Sequence, residues 1–454
     1  MGFVYSVVGF ILAIGILVTV HEFGHYWVAK KLGVKVLRFS VGFGKPLWRK
    51  VAGPDQTEYV LAAIPLGGYV KMLGENDPDA PVSPSERHRA FDSQAIWKRA
   101  LIVAAGPGIN FLFAILLFMV IGMQSQEKLV PVLGDVPAQT PLAAAGVKSG
   151  DTLKMIDGKP FNYFSEHDLY VFNQVLKHQP LHLLINSQGT DKEVVIPTSD
   201  IPIYNINPGS LMVQLGFFRL SPPSTREIAV VSPESPAAQA GLQAGDKFVS
   251  INDREIVMWR DLVEVVQPAA GKSLSVVVER AGANIEVSIT PEAVPVGERE
   301  IGRLGVQRPF IPYPQEQIVS FSKPPFTALL YGAEQTWQMS TLTLRMLWKM
   351  ATLQVTYKNV NGPIMIADVA GEVIQIGFVP YLYFLAVISI SLGVMNLLPV
   401  PMLDGGHLMR FAVEVVGGKT LAEKFFIAIQ PLGIVMLIGL MSLAFYNDIL
   451  KIFN

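Results

Sequence analysis

Residues 4–29 read VYSVVGFILAIGILVTVHEFGHYWVA, an apolar run interrupted near its end by three ionisable groups within five residues, His21, Glu22 and His25. A bilayer core takes about 20 apolar residues of helix, so the run predicts a transmembrane helix. Residues four apart on a helix share a face. His21 and His25 therefore aim two imidazoles at one point, with Glu22 within reach of a water held there. That is the spacing of a zinc site whose glutamate acts as general base. Ionisable side chains are expensive inside a membrane and by default functional, which favours this reading over histidines that merely mark an interface. The run has no basic residue ahead of its apolar core and no small-residue cleavage site after it. A retained helix is expected, not a signal peptide.

Of the 454 residues 50% are apolar and 16% charged, against about a quarter charged in an ordinary soluble domain. Three more runs are long enough to cross a bilayer, at 100–123, 377–398 and 425–445. A polytopic helical membrane protein with four spans is expected. The loop between the first two runs is rich in Lys and Arg, from Lys30 to Arg99, and is cytoplasmic by the positive-inside rule. Both termini and residues 124–372 then lie outside, and the loop bearing Arg410, Lys419 and Lys424 lies inside. A net charge of −1 without a concentrated basic face excludes nucleic acid as a partner. The absence of cysteine excludes thiol nucleophiles, disulfides and thiolate metal sites.

A catalytic zinc site takes three protein ligands and a water. The third candidate is Asp404, in the stretch Asn396-Leu-Leu-Pro-Val-Pro-Met-Leu-Asp404-Gly-Gly-His407. It follows the third run, which ends on the same side as the first, so topology brings Asp404 and the histidines to similar depth. Pro399 and Pro401 break the helix, and non-helical backbone at membrane depth is tolerated only where protein or water covers it. Taken alone, Asp404 before two glycines reads as a turn residue; beside the first motif it reads as a ligand. His407 ranks below it. His88, His167, His178 and His182 show no partner pattern and are expected to be solvated.

The outer region repeats itself at an offset of 95 residues: PLAAAGVKSGDTLKMIDG at 141–158 matches PAAQAGLQAGDKFVSIND at 236–253. Two copies suggest duplicated domains, with strands expected at residues 152–156 and 247–251. The repeated segment resembles bacterial PDZ domains. PDZ domains capture an extended peptide by strand addition, often holding its terminal carboxylate. Leu215-Gly216-Phe217 and Leu304-Gly305-Val306 are candidates for such carboxylate loops, or are ordinary strand entries.

HEFGH, Asn396-x-x-Pro-x-Pro-x-Leu-Asp-Gly, Gly106-Pro107-Gly108-x-Asn110, the four runs and the doubled PDZ insert together resemble the site-2 protease family of intramembrane metalloproteases along the whole chain. Within it they resemble the bacterial members with tandem PDZ domains that act in the sigma-E stress response. The resemblance implies that His21, His25 and Asp404 bind zinc and that Glu22 is the catalytic base. It also implies that Asn396 holds substrate or the developing oxyanion, where the competing role is helix packing or capping. The implied substrate is a single-span membrane protein of the anti-sigma-factor type, or a remnant signal peptide, cut during regulated intramembrane proteolysis. The implied location is the bacterial inner membrane, with the PDZ domains periplasmic.

The expected fold is therefore four transmembrane helices, a membrane-associated β-sheet and two extracytoplasmic α+β PDZ domains. Residues 1–125 hold two helices, HEFGH and a cytoplasmic-side hairpin from strands near 34–44 and 58–72. Residues 126–221 and 222–309 are the PDZ domains, 310–375 a periplasmic amphipathic helix, and 376–454 the last two helices. That amphipathic segment lies on the membrane or packs on a PDZ domain. Two other classes compete: a PDZ scaffold or quality-control adaptor without protease activity, and a metal transporter. Glu22 between the two ligands disfavours the transporter, and the complete constellation of residues disfavours the scaffold.

Overall fold

The computed structural model describes residues 2–75, 82–203, 208–220, 225–296, 299–309, 311–357 and 362–453. Its first helix, α1 (Gly2–Lys31), buries Gly9, Ala13, Leu17, His21, Gly24 and His25. These recur every three or four residues and so share a face. Phe3, Val7, Ile11, Phe23 and Trp27 are exposed, a surface that suits hydrocarbon and not water. Four helices among the described residues are long and apolar enough to cross a membrane: Gly2–Lys31, Ile96–Met123, Phe378–Leu397 and Asp404–Lys451. The last is two helices joined at Gly418, whose φ of 76° falls in the left-handed region that glycine enters without strain.

The second helix, α2 (Ile96–Met123), lies so close to α1 that a Cβ on Gly24 would sit 2.3 Å from the Ala105 carbonyl oxygen. Ala13, Leu17, Ala114, Phe118, Leu385 and Ile390 form the core shared by these helices and Phe378–Leu397. At its start, Arg99 donates to both oxygens of Glu414, at 3.1 and 2.7 Å, pinning α2 to the helix that begins at Asp404.

Two long antiparallel strands, β1 (Val36–Ala52) and β2 (Thr57–Met72), separate α1 from α2. They bend more than the expected hairpin. Residues 38–41 pair with 58–61 on one side and with 68–71 on the other, which leaves 68–72 as an edge of the sheet. That edge runs over α1 at Glu22, since a Cβ on Gly68 would meet the Glu22 Cγ at 3.1 Å.

Beyond α2 the repeated sequence forms two four-stranded antiparallel sheets of the same strand order. In the first unit the order is Lys159–Pro160, Thr152–Ile156, Leu181–Ser187, Thr190–Ile196. In the second it is Arg254–Glu255, Lys247–Ile251, Leu274–Arg280, Ala283–Ile289. The likeness reaches local detail. Each unit carries a bulge, at Lys154 and at Val249, a short helix capped by Thr140 or Ser235, and an aspartate that accepts from the Lys148 or Gln243 amide at 2.8 Å. All three pairs keep the 95-residue offset. Gln126–Leu129 pairs with Ile318–Phe321, so the chain entering the first unit is tied to the chain leaving the second. The expected boundaries at 221–222 and 310 lie outside the described residues.

In the second unit the Arg280 guanidinium grips Asp246, with both bonds 2.7 Å long, and holds its carboxyl below the usual range. A depressed folded-state value contributes stability above the unfolded value, about 3.9, that is lost as pH falls through the folded value. Arg280→Leu removes the largest cause of the depression and leaves only the Gln243 amide. Acid loosening of residues 241–251, followed by hydrogen exchange corrected for intrinsic rates, is therefore expected at higher pH in that variant; an unmoved profile would contradict the pairing.

The segment expected to be amphipathic contains helix Pro325–Ala351, which has two packed sides and one exposed apolar stripe. Gly332 packs on α2, where a Cβ would lie 2.4 Å from the Ile115 carbonyl oxygen, and Leu342 and Met346 pack against the first unit's core. Phe326, Leu330, Trp337, Leu344 and Trp348 remain exposed along one stripe. Helix Pro363–Ile376 starts on Asp448, whose carboxylate accepts from the Gly362, Ile364 and Met365 amides at 2.7, 2.9 and 3.2 Å. A carboxylate at a helix N-terminus satisfies donors that have no partner within the helix.

Candidate metal centre

His21 and His25 lie one turn apart on the buried face of α1, and their Nε2 atoms are 3.2 Å apart. Asp404 begins the helix after the break at Pro399 and Pro401. Its Oδ2 lies 3.3 Å from His21 Nε2 and 3.5 Å from His25 Nε2. Among the described residues this is the one cluster able to hold a metal ion. Asp404 Oδ2 is buried there with no hydrogen-bond donor.

The spacing can be tested against zinc. Tetrahedral ligation at about 2.0–2.1 Å sets ligand atoms roughly 3.3 Å apart, which matches all three separations. Two imidazoles, one carboxylate and an open fourth direction are the donor set of a catalytic zinc site. The residues fit the metal.

The centre opens into a cavity of about 780 Å³ lined by His21, Glu22, Gly68, Asn396, Asp404 and His407, among others. Glu22 lies beside the sheet edge, where a Cβ on Gly68 would meet its Cγ at 3.1 Å, and Gly68 and Val70 of that edge line the same cavity. Asn396, on the last turn of Phe378–Leu397, brings its Nδ2 to 3.4 Å from His21 Nε2. His407 faces the cavity but packs its ring on Phe426, centroids 5.5 Å apart, and is not in the cluster.

Three features of the site were not readable as such in the sequence. Gly106 on α2 supplies the space for the imidazoles: a Cβ there would lie 2.2 Å from His25 Nε2 and 2.8 Å from His21 Cε1. Asn110, one turn further, places its amide 3.0 Å from His21 Nδ1. Both belong to a motif quoted above, which signalled importance but not contact. Glu75 lines the cavity and accepts from the Met72 amide at 3.0 Å; burial raises its carboxyl above the usual range. One expectation is corrected. His167 has a partner, its Nε2 lying 2.9 Å from the Pro160 carbonyl oxygen, with Phe161 and Tyr170 against the ring. The positive φ at Ser165 turns the chain back to make this contact. His88, His178 and His182 are exposed.

Apolar helices closing around a metal centre, with a glutamate between the two histidines, define a membrane-embedded metallopeptidase. The chain belongs to peptidase family M50, whose model matches residues 9–440. It is similar to Regulator of sigma-E protease RseP of Escherichia coli strain K12, 38% identical over 450 residues and 99% of each chain. It is also similar to Protease RseP of Yersinia pestis, 40% identical over 451 residues and 99% of each chain. A relative from Vibrio cholerae, 36% identical over 451 residues and 99% of each chain, carries the words zinc metalloprotease in its name.

Proposed function

We propose that this protein is a zinc endopeptidase that cuts single-span membrane proteins inside the bilayer, with His21, His25 and Asp404 as ligands and Glu22 as base. The observation that carries this reading is the convergence of three ligand atoms at 3.2–3.5 Å beside Glu22, within helices fit to span a membrane. When bound, zinc supplies Lewis acidity toward the scissile carbonyl and an attacking water. Glu22 takes the water's proton and passes it to the leaving amine. Asn396 donates from Nδ2 to the oxygen on which charge develops. His25 Nδ1, 2.8 Å from the Ile102 carbonyl oxygen, donates to it, which holds the ring with Nε2 toward the centre.

A helical substrate hides its peptide bonds in its own hydrogen bonds and must be extended before attack. The edge at residues 68–70 runs beside Glu22 and is suited to strand addition. The two repeated units are PDZ domains on the periplasmic face that bind peptide or screen substrates by size. In the second, a cavity of about 310 Å³ lies between helix Trp259–Val266 and Leu304-Gly305-Val306. All four apolar helices span the inner membrane. Relatives bear the name Regulator of sigma-E protease, and the proposed substrate is an anti-sigma factor already shortened outside. The test is purified protein in detergent with a tagged single-span substrate. Cleavage that stops on chelation and returns with zinc is expected; cleavage indifferent to chelation would overturn the reading.

A further inference from the structure

The zinc reading leaves open what sets the tautomer of His21. An imidazole that ligates through Nε2 must carry its proton on Nδ1, and that proton needs an acceptor. For His25 the acceptor is a backbone carbonyl, Ile102 at 2.8 Å, which has no alternative to accepting. For His21 the neighbour is the side-chain amide of Asn110, 3.0 Å from Nδ1 and fully buried.

An amide presents either its nitrogen or its oxygen in the same outline, and the network decides which. With Nδ2 toward His21, the ring keeps its proton on Nε2, aimed at His25 and Asp404, and is no ligand. Asn110 Oδ1 is then left buried with no partner among the described residues. With the amide turned over, Oδ1 accepts from Nδ1–H, and the Nε2 lone pair faces the centre, as it does on His25. Asn110 is itself held in place: Ser389 Oγ donates to its main-chain carbonyl at 2.9 Å, joining α2 to the helix that carries Asn396.

We infer that Asn110 is a positioning residue that fixes the metal-binding tautomer of His21, its Oδ1 accepting from His21 Nδ1–H. The inference rests on the zinc reading and is separable from it. An amide or carboxylate oxygen at position 110 serves; an apolar side chain of similar volume does not.

The test is chelator competition for zinc on the full-length protein in detergent, with the visible spectrum of the cobalt-substituted form as a second readout. Wild type, Asn110→Leu, Asn110→Asp and His21→Ala are compared. Asn110→Leu is expected to weaken zinc by about 10–100-fold, the usual cost of losing such a partner. Asn110→Asp, which can only accept, is expected to bind at least as tightly as wild type and to keep the tetrahedral cobalt spectrum. Wild-type affinity in Asn110→Leu, or zinc loss in Asn110→Asp, overturns the inference. Should Asn110→Leu not fold, Asn110→Asp together with the His21 nitrogen-15 shifts, which report the protonated ring atom, decides it. Equal zinc binding by wild type and His21→Ala would mean that the zinc reading itself has failed, and the inference falls with it.

Discussion

Glu22→Gln is expected to lower cleavage of a single-span substrate by about 10²–10⁴-fold, the usual contribution of a general base, while zinc content stays at the wild-type level. Glutamine keeps the shape of the side chain against the sheet edge, where Gly68 approaches Glu22 Cγ. It cannot take a proton from water. Glu22 is not among the three proposed ligands, His21, His25 and Asp404, so the metal is expected to remain. Parallel metal analysis and cleavage assays check both halves. Retained activity would remove Glu22 from the chemistry, whereas loss of zinc together with activity would make it a ligand.

Gly106→Ala is expected to cost at least about 100-fold in cleavage, the scale on which a misplacement of about 1 Å acts, and to lower zinc content. The added carbon would lie 2.2 Å from His25 Nε2 and 2.5 Å from its Cε1, so the ring must leave the position from which the proposed ligation would occur. Stability should not fall in parallel. Alanine is favoured over glycine inside a helix by about 1 kcal/mol, and the strain falls on two side chains, not on the backbone. Gly108→Ala is the control, since a Cβ there meets nothing within 4 Å. Equal activity for Gly106→Ala and wild type would contradict the ring positions.

Much of this was legible in the sequence because the relevant signals are local. The first three apolar runs gave their long helices to within a few residues, and alternation gave the strands Thr152–Ile156 and Lys247–Ile251. HEFGH declared its own geometry through the i, i+4 rule. Asp404 was reachable only by adding topology, because nothing in a turn before two glycines signals a metal.

What escaped depends on contacts between distant segments. Gly106 is an ordinary helical glycine until His25 stands opposite it. Asn110 is one more polar residue in an apolar helix until His21 Nδ1 is found 3.0 Å away. The double pairing of residues 38–41 follows from bulges whose positions alternation does not mark. The pairing of Gln126–Leu129 with Ile318–Phe321 joins segments almost 200 residues apart, each too short to announce a partner. The segment bearing Arg410, expected as a loop, is a helix from Asp404 to the kink at Gly418, and the apolar run at 425–445 lies within the helix after that kink.

The central claim, that His21, His25 and Asp404 hold one catalytic zinc, is tested most directly by X-ray absorption at the zinc edge on purified wild-type protein and Asp404→Ala. The expected wild-type result is one zinc per chain with a four-coordinate shell of two imidazole nitrogens and two oxygens at about 2.0–2.2 Å, with one oxygen lost or replaced in the variant. A six-coordinate all-oxygen shell, or a spectrum and zinc content untouched by Asp404→Ala, would contradict it.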